Sequence, residues 1–297
     1  MKSLPLVSVI IPTFNRANDL ARAVKSVIAQ TFTSWELIIV DNHSVDNTDE
    51  VVRHFNDPRI KLLKIHNDGV IAASRNLGIH FSSGTYIAFL DSDDWWTPDK
   101  LRSSVSALNA GADFIYHDLF LFTHPHQRLF LRKLVTRPLT EPVYSQLILN
   151  GNCIINSSVV VRKELLHAVS GLSEDRDLIS AEDYDCWLRI STITDKFVRL
   201  PSALGFYSLN SFNTTNPHLT LQSIDAIVNR HVDTKSPASI RINWINYARG
   251  RAYFTLNDYY SAKIFLSKVS LANSSFSLYL RTLYMLLRMF FFKFKTQ

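Results

Sequence analysis

The tightest constraint on this chain is a run of five apolar residues, 86–90 (YIAFL), that stops at four polar ones, Asp91, Ser92, Asp93 and Asp94. The run shows no polar alternation, so it reads as a strand covered on both faces, the kind found in parallel sheets. The pattern recurs upstream. Residues 7–11 (VSVII) form a largely apolar run that gives way to Pro12-Thr13-Phe14-Asn15, residues 35–40 lead into Asp41 and the polar turn NHSVDNT, and residues 60–65 make a third strand. Helical patterns fill the intervals: an amphipathic helix from Asn18 or Asp19 to about Gln30, others over 46–55 and 70–81, with Gly84 before the next strand. Strands alternating with helices specify an α/β fold with a mostly parallel sheet and helices on both faces. Ligands of such sheets lie beyond the carboxyl ends of the strands. Thr13 and Asn15, Asp41 and Asn42, and Asp91 and Asp93 all fall at such ends.

Past residue 100 the pattern is less regular. Residues 97–110 read as a helix, 112–122 and 128–135 as strands about an HPHQ turn, and 159–162 as another strand. Gly171 closes a short helix, and EDYDCWLRIS (182–191) makes a further one. The polar, turn-rich stretch 210–217 (NSFNTTNP) is the expected division between a domain over 1–215 and a helical region over 216–297.

Composition narrows the class. A hydrophobic content of 46% supports a packed core. Cys153 and Cys186 are far apart and outside metal-ligand spacing, which favours a reducing compartment. The opening MKSLPLVSVIIPTFN carries two prolines and no small-residue cleavage site, so it reads as a first strand and not as a signal peptide. The net charge of +6 is uneven: from Leu221 onward eleven Lys/Arg face three Asp/Glu, while residues 1–220 are slightly acidic. No basic–aromatic motif of a nucleic-acid module appears, and the basic part is also the most apolar. A membrane surface fits it better than nucleic acid.

In an extended chain Asp91 and Asp93 project to one side, and two carboxylates so close repel unless a cation joins them. A hard divalent ion with oxygen ligands is one solution. The other is an acidic turn ahead of the helix start Thr97-Pro98-Asp99.

Taken in order, VSVIIPTFNR, IIVDNHSVDNT, NDGVIAASRNLGI, the DSDD stretch and AEDYDCW resemble the family 2 glycosyltransferases, over about residues 5–210. Those are nucleotide-sugar-dependent enzymes of the Rossmann-like GT-A fold. The resemblance implies Mn²⁺ or Mg²⁺ as cofactor, with Asp93 as direct ligand and Asp91 on the metal or the ribose. It places Pro12, Thr13 and Asn15 at the nucleoside, Asp41 and Asn42 at the base, and Arg75, Asn76 and Ser92 near the sugar and phosphates. Asp183 takes the part of general base, with Glu182 supporting it or binding acceptor. Trp95 and Trp96 are candidates to stack on a sugar ring, or to pack in the core.

Several positions depart from the family pattern. Asn42-His43 stands where a second Asp and a Gly are common, and Asn tolerates the left-handed backbone such a turn needs. Tyr207 is followed by Ser208 and Leu209, so a Tyr-Arg…His phosphate element is absent. The Gln-x-x-Arg-Trp signature of processive synthases is missing, which implies single-sugar transfer.

Residues 239–257 and 259–271 read as two helices and 276–294 as a last one, with Arg281, Arg288 and Lys295 spaced seven apart. Spanning a bilayer would place arginines in hydrocarbon at roughly 2.5–3.5 kcal/mol each. Lying in the plane of an anionic surface costs far less. The other possibility is docking on the protein itself. The expectation is a cytoplasmic, membrane-peripheral, metal-dependent inverting glycosyltransferase, moving one sugar from a UDP-sugar to a glycan or lipid-linked glycan acceptor. Its rivals are a nucleotidyltransferase, for which PTFNRAND lacks the Gly-rich basic loop, and an inactive glycan-binding module.

Overall fold

The computed structural model describes residues 6–123, 132–209, 216–232, 242–271 and 276–293. The apolar runs become β1 (Val7–Thr13), β2 (Trp35–Asp41), β3 (Ile60–Lys64) and β4 (Tyr86–Phe89), joined by α1 (Ala17–Ile28), α2 (Thr48–His54) and α3 (Ile71–His80). These four strands are parallel, in the order β3-β2-β1-β4. Leu20, Val24 and Val27 of α1 pack with Val9, Ile11, Leu37 and Ile39 in one buried cluster. On the other face, Gly78 of α3 lies against Ile10, where a Cβ would come within 2.5 Å of its side chain.

The sheet then changes character. After β5 (Trp95–Trp96) and α4 (Lys100–Asn109) come β6 (Phe114–Phe122), β7 (Arg132–Leu134), β8 (Val160–Arg162) and β9 (Phe197–Ser208). The order continues β4-β8-β6-β9-β5, with β8 antiparallel to both its neighbours and β7 pairing with β6. The fold is therefore α/β of the expected kind, with a mixed sheet whose first half is wholly parallel. Between β8 and β9 run α6 (Lys163–Ala168) and α7 (Glu182–Ser191).

Some expectations are corrected. The carboxylates of the DSDD stretch are not on extended chain: β4 ends at Phe89, and Asp94 N bonds back to Asp91 O at 3.0 Å to close a turn. Neither Asn18 nor Asp19 caps α1; the Ala17 N–H instead donates to Asp46 Oδ2 at 2.9 Å, across from the next loop. The strands β5 and β9 and the helix α5 (Val143–Asn150) have no counterpart in the sequence reading. The HPHQ turn and most of the 210–217 stretch lie outside the described residues.

The chain separates into two compact units: one of residues 1–140, 153–174 and 182–213, the other of 141–152, 175–181 and 214–297. The second unit holds α5, α8 (Pro217–His231), α9 (Asn243–Thr255), α10 (Tyr259–Leu266) and α11 (Phe276–Lys293). Gly250 lets α9 meet Leu266 of α10, and Tyr253 stacks on Phe265 with centroids 5.5 Å apart. One face of α11, Met285 and Met289, closes a small core with Ala262 and Leu266. The opposite face, Phe276, Leu280, Leu283, Tyr284 and Leu287, is exposed, with Arg281 and Arg288 between the two faces. Docking thus accounts for one side of this helix and leaves the other apolar and open. Among the described residues no helix is long and apolar enough to cross a membrane.

Candidate active site

Parallel register brings the carboxyl ends of β1, β2 and β4 together, with Thr13 opposite Asp41 and Leu90 N bonded to Ile10 O. The loops that leave those ends enclose a cavity of about 380 Å³, lined by Pro12, Thr13, Asn42, Asp91, Ser92 and Asp93 among others. Thr13 Oγ1 is buried there without a hydrogen-bond partner. Phe14 and Arg16 line the same cavity, and Asn67 completes a wall by donating its N–H to Asn42 Oδ1 at 2.9 Å.

The two carboxylates are each bonded on one oxygen. Asp91 Oδ1 accepts from Arg75 Nη2 at 2.8 Å and from Asn156 Nδ2 at 3.1 Å, while its N–H donates to Ser157 Oγ at 3.0 Å. Asp93 Oδ2 accepts from Arg16 Nη1, and the Asp93 carbonyl from Arg22 Nη2 at 2.7 Å. Burial pushes the Asp93 carboxyl up, and the charge of Asp91 adds to that against the pull of Arg16. Among the described residues no group of three His, Cys, Asp or Glu gathers to hold a metal. A pair of carboxylates on a cavity wall fits an ion of the Mg²⁺ or Mn²⁺ type, which takes few protein ligands and completes its shell with phosphate and water.

Arg75 joins this pair to the start of α7. It is buried, and its Nη1 donates to Glu182 Oε1 at 2.5 Å. Burial works against its charge, but Asp91 and Glu182 outweigh burial and raise its affinity for the proton. Next to Glu182, Asp183 accepts the Tyr184 N–H on Oδ1 at 2.6 Å. Its carboxyl is pushed up to about 7, first by burial and then by the charge of Glu182, with Arg75 opposing. Glu182 and Asp183 do not line the cavity; Glu182 is joined to its rim through Arg75.

Other expected site residues make contacts within the protein. Asp41 is fully buried behind the wall, its oxygens taken by Ser44 N–H, Ser44 Oγ at 2.5 Å and Lys64 Nζ at 2.6 Å. It shapes the turn that presents Asn42. The left-handed residue of that turn is His43 (φ 52°), not Asn42, and its ring stacks on His66 at 3.8 Å. Asn15 Oδ1 accepts the Val45 N–H at 2.8 Å, tying two loops together. Asn76 clamps Leu172, donating to its carbonyl at 2.8 Å and accepting its N–H at 2.9 Å. Neither tryptophan offers a free face to a sugar. Trp95 lies between Arg22, 4.1 Å from its ring, and Phe206, stacked at 4.9 Å, while Trp96 is buried under Lys100 with its Nε1 bonded to Ser157 O at 2.7 Å. Asp185, one turn before Arg189 on α7, is buried and paired with it at 2.8 Å.

Sequence reasoning missed Arg16, Asn67, Asn156 and Ser157. Arg16 and Asn67 sit inside quoted motifs and were legible as polar residues beside strand ends. Asn156 and Ser157 were not. They precede β8, whose antiparallel register (Ala88 opposite Val160) carries the preceding turn past the end of β4 and onto Asp91.

Comparison with known proteins agrees with this architecture. Glycosyl transferase family 2 matches residues 8–167, which takes in Arg75 and the DSDD turn and stops short of α7. The UDP-Glc:alpha-D-GlcNAc-diphosphoundecaprenol beta-1,3-glucosyltransferase WfgD of Escherichia coli is 34% identical over 187 residues, 62% of this chain and 69% of its own. Among solved structures, S. aureus TarS 1–349 in complex with UDP-GlcNAc aligns with a TM-score of 0.62 at 19% identity, covering 89% of this chain and 81% of that 1–349 chain. Mannosyltransferase PcManGT from Pyrobaculum calidifontis, in complex with GDP-Man and Mn²⁺, aligns at 0.60 and 17% identity, covering 97% and 81%. At such identities the two structures speak for the fold alone, whereas the family match spans more than half of the sequence. This chain belongs to glycosyl transferase family 2 and is a glycosyltransferase.

Proposed function

We propose that the protein transfers a single sugar, with inversion, from a UDP-sugar to a hydroxyl of a lipid-linked glycan in surface polysaccharide assembly, with Asp183 as the general base. The observation that carries this reading is Arg75, which bonds both Asp91 on the donor cavity and Glu182, the chain neighbour of Asp183. The printed activity of WfgD, a UDP-glucose donor and a diphosphoundecaprenol acceptor, supports the substrate classes. The Mn²⁺ of PcManGT supports the cofactor.

Thr13, Asn42 and Asn67 bind and orient the nucleoside part of the donor. Asp93 and Asp91 would hold Mn²⁺ or Mg²⁺, which when bound neutralises charge on the departing diphosphate. In the transfer the acceptor oxygen forms a bond to the anomeric carbon, the bond from that carbon to the phosphate oxygen breaks, and UDP leaves. The acceptor's proton passes to Asp183, whose raised proton affinity suits it to accept that proton near neutral pH. Arg75 keeps Glu182 and Asp91 compensated, so that Asp183 is the carboxylate left to take a proton.

Incubation with Mn²⁺, UDP-glucose or UDP-GlcNAc, and a GlcNAc-diphosphoundecaprenol acceptor yields UDP and a lipid one sugar heavier by mass spectrometry. Absence of product across UDP-, GDP- and dTDP-sugars overturns the reading.

We also propose that the outer face of α11 rests in plane on the anionic inner surface of the plasma membrane. Five exposed apolar side chains flanked by Arg281 and Arg288 support this. Replacing both arginines by Gln weakens sedimentation with anionic vesicles by roughly tenfold or more, at about 1 kcal/mol per cation. Equal binding to anionic and neutral vesicles, unmoved by the change, rules it out.

A further inference from the structure

Arg16 ends the PTFNR loop, and its guanidinium donates to Asp93 Oδ2 on the wall of the donor cavity. The contrast with its neighbours is informative. Arg22 also reaches Asp93, through the carbonyl at 2.7 Å, but it is anchored by Asp19 at 2.9 Å and by the Trp95 ring at 4.1 Å. Arg75 is anchored by two carboxylates, with 4% of its side chain exposed. Among the described residues Asp93 alone bonds the Arg16 guanidinium, and 29% of that side chain is exposed. It can leave Asp93 without breaking another contact.

A divalent ion on Asp93 would meet this fixed positive group on the same carboxylate, and two cations that close repel. The donor's diphosphate offers the guanidinium a better-matched partner, since planar N–H pairs fit phosphate oxygens in bidentate fashion. We propose that Arg16 competes with the divalent cation for Asp93 and passes to the donor's diphosphate as the donor binds, so that metal and nucleotide sugar bind as linked partners. This rests on the metal-assisted reading above. It adds that the cation's affinity for the protein is held down until the donor arrives. Linkage is reciprocal, so the donor's affinity rises with metal by the same factor.

The test separates the two ligands. Mn²⁺ binding is followed by loss of the free-ion EPR signal and UDP binding by calorimetry, on wild type, Arg16→Gln and Arg16→Lys. Arg16→Gln is expected to bind Mn²⁺ alone at least about fivefold more tightly than wild type, and UDP alone at least about fivefold more weakly. Arg16→Lys, which keeps the charge but not the planar N–H pair, stays near wild type for Mn²⁺ alone and binds UDP more weakly than wild type. A merely structural role would weaken both ligands together. Mn²⁺ affinity in Arg16→Gln equal to or weaker than wild type overturns the proposal while leaving the metal reading intact. Wild type that binds no Mn²⁺ even with UDP overturns both.

Discussion

The two ends of the same parallel strands carry polar clusters built in opposite ways. At the amino end Glu36 is saturated: Oε1 accepts from Ser8 Oγ at 2.7 Å, Ser83 N at 2.6 Å and Ser83 Oγ at 2.7 Å, and Oε2 from Lys61 Nζ at 2.8 Å. Gly84 closes that cluster by donating its N–H to Ser8 Oγ, and a Cβ there would lie 2.7 Å from Ser8 N. At the carboxyl end Thr13 Oγ1, Asn156 Oδ1 and Glu182 Oε2 are buried without partners. Leaving a buried polar group unpaired costs about 1–3 kcal/mol. The satisfied Glu36 cluster contributes stability, whereas Thr13 Oγ1, on the cavity wall, gives some up where a ligand's polar group would sit.

The comparison breaks most sharply at Asp183. Asp183→Asn keeps the shape and the Tyr184 contact but removes the proton acceptor. Turnover is expected to fall by roughly 10²–10⁴-fold with UDP affinity unchanged and no loss of melting temperature, since the buried charge is removed. In wild type kcat/KM should fall as pH drops below about 7, because a carboxylate held that high protonates there. A pH profile flat from 8 to about 5 would remove Asp183 as the base.

Glu36 tests the other end. Burial pushes its carboxyl up, but hydrogen bonds from Lys61, Ser83 and Ser8 overcome that and bring it down to about 2. A carboxyl depressed on folding contributes stability above its unfolded pKa and loses it as pH falls through the folded one. Glu36 therefore adds on the order of 2–3 kcal/mol at neutral pH, lost between about pH 4.5 and 2. Glu36→Gln should lower the melting temperature at pH 7, flatten that acid limb and leave UDP binding alone. Lost UDP binding with unchanged stability would reverse the assignment of the two ends.

A smaller effect is expected at Asn156, which holds Asp91 from the antiparallel half of the sheet. Asn156→Ala should weaken Mn²⁺ binding in the presence of UDP by roughly 10–100-fold, the usual cost of losing a group that orients a ligand. Asn156→Asp, which places a carboxylate against a carboxylate, should not rescue it. Unchanged Mn²⁺ affinity in Asn156→Ala would confine the site to the parallel half.

The sequence by itself determined the parallel half and the polar residues at its carboxyl end, where the candidate site lies. Apolar runs at β1, β2 and β4, broken only by Ser8 and Glu36 near their amino ends and each leading into Thr or Asp, are short-range patterns. Parallel pairing leaves those closing residues no place but one edge. Their individual roles were not local. Asp41 and Asn76 carry the residue types a ligand would want, yet Ser44 of the same turn, and Lys64 and Leu172 from other segments, take up their hydrogen bonds. Trp95 and Trp96 lost their free faces to Arg22, Phe206 and Lys100 in the same way. Only the tertiary structure decided that β8 enters antiparallel beside β4 and brings Asn156 and Ser157 to Asp91, and that one buried arginine joins Asp91 to Glu182 across 107 residues of sequence from Arg75. The physical reason is that strand patterning reports burial along one segment, whereas the free valences of a site depend on which distant segments have already claimed the rest.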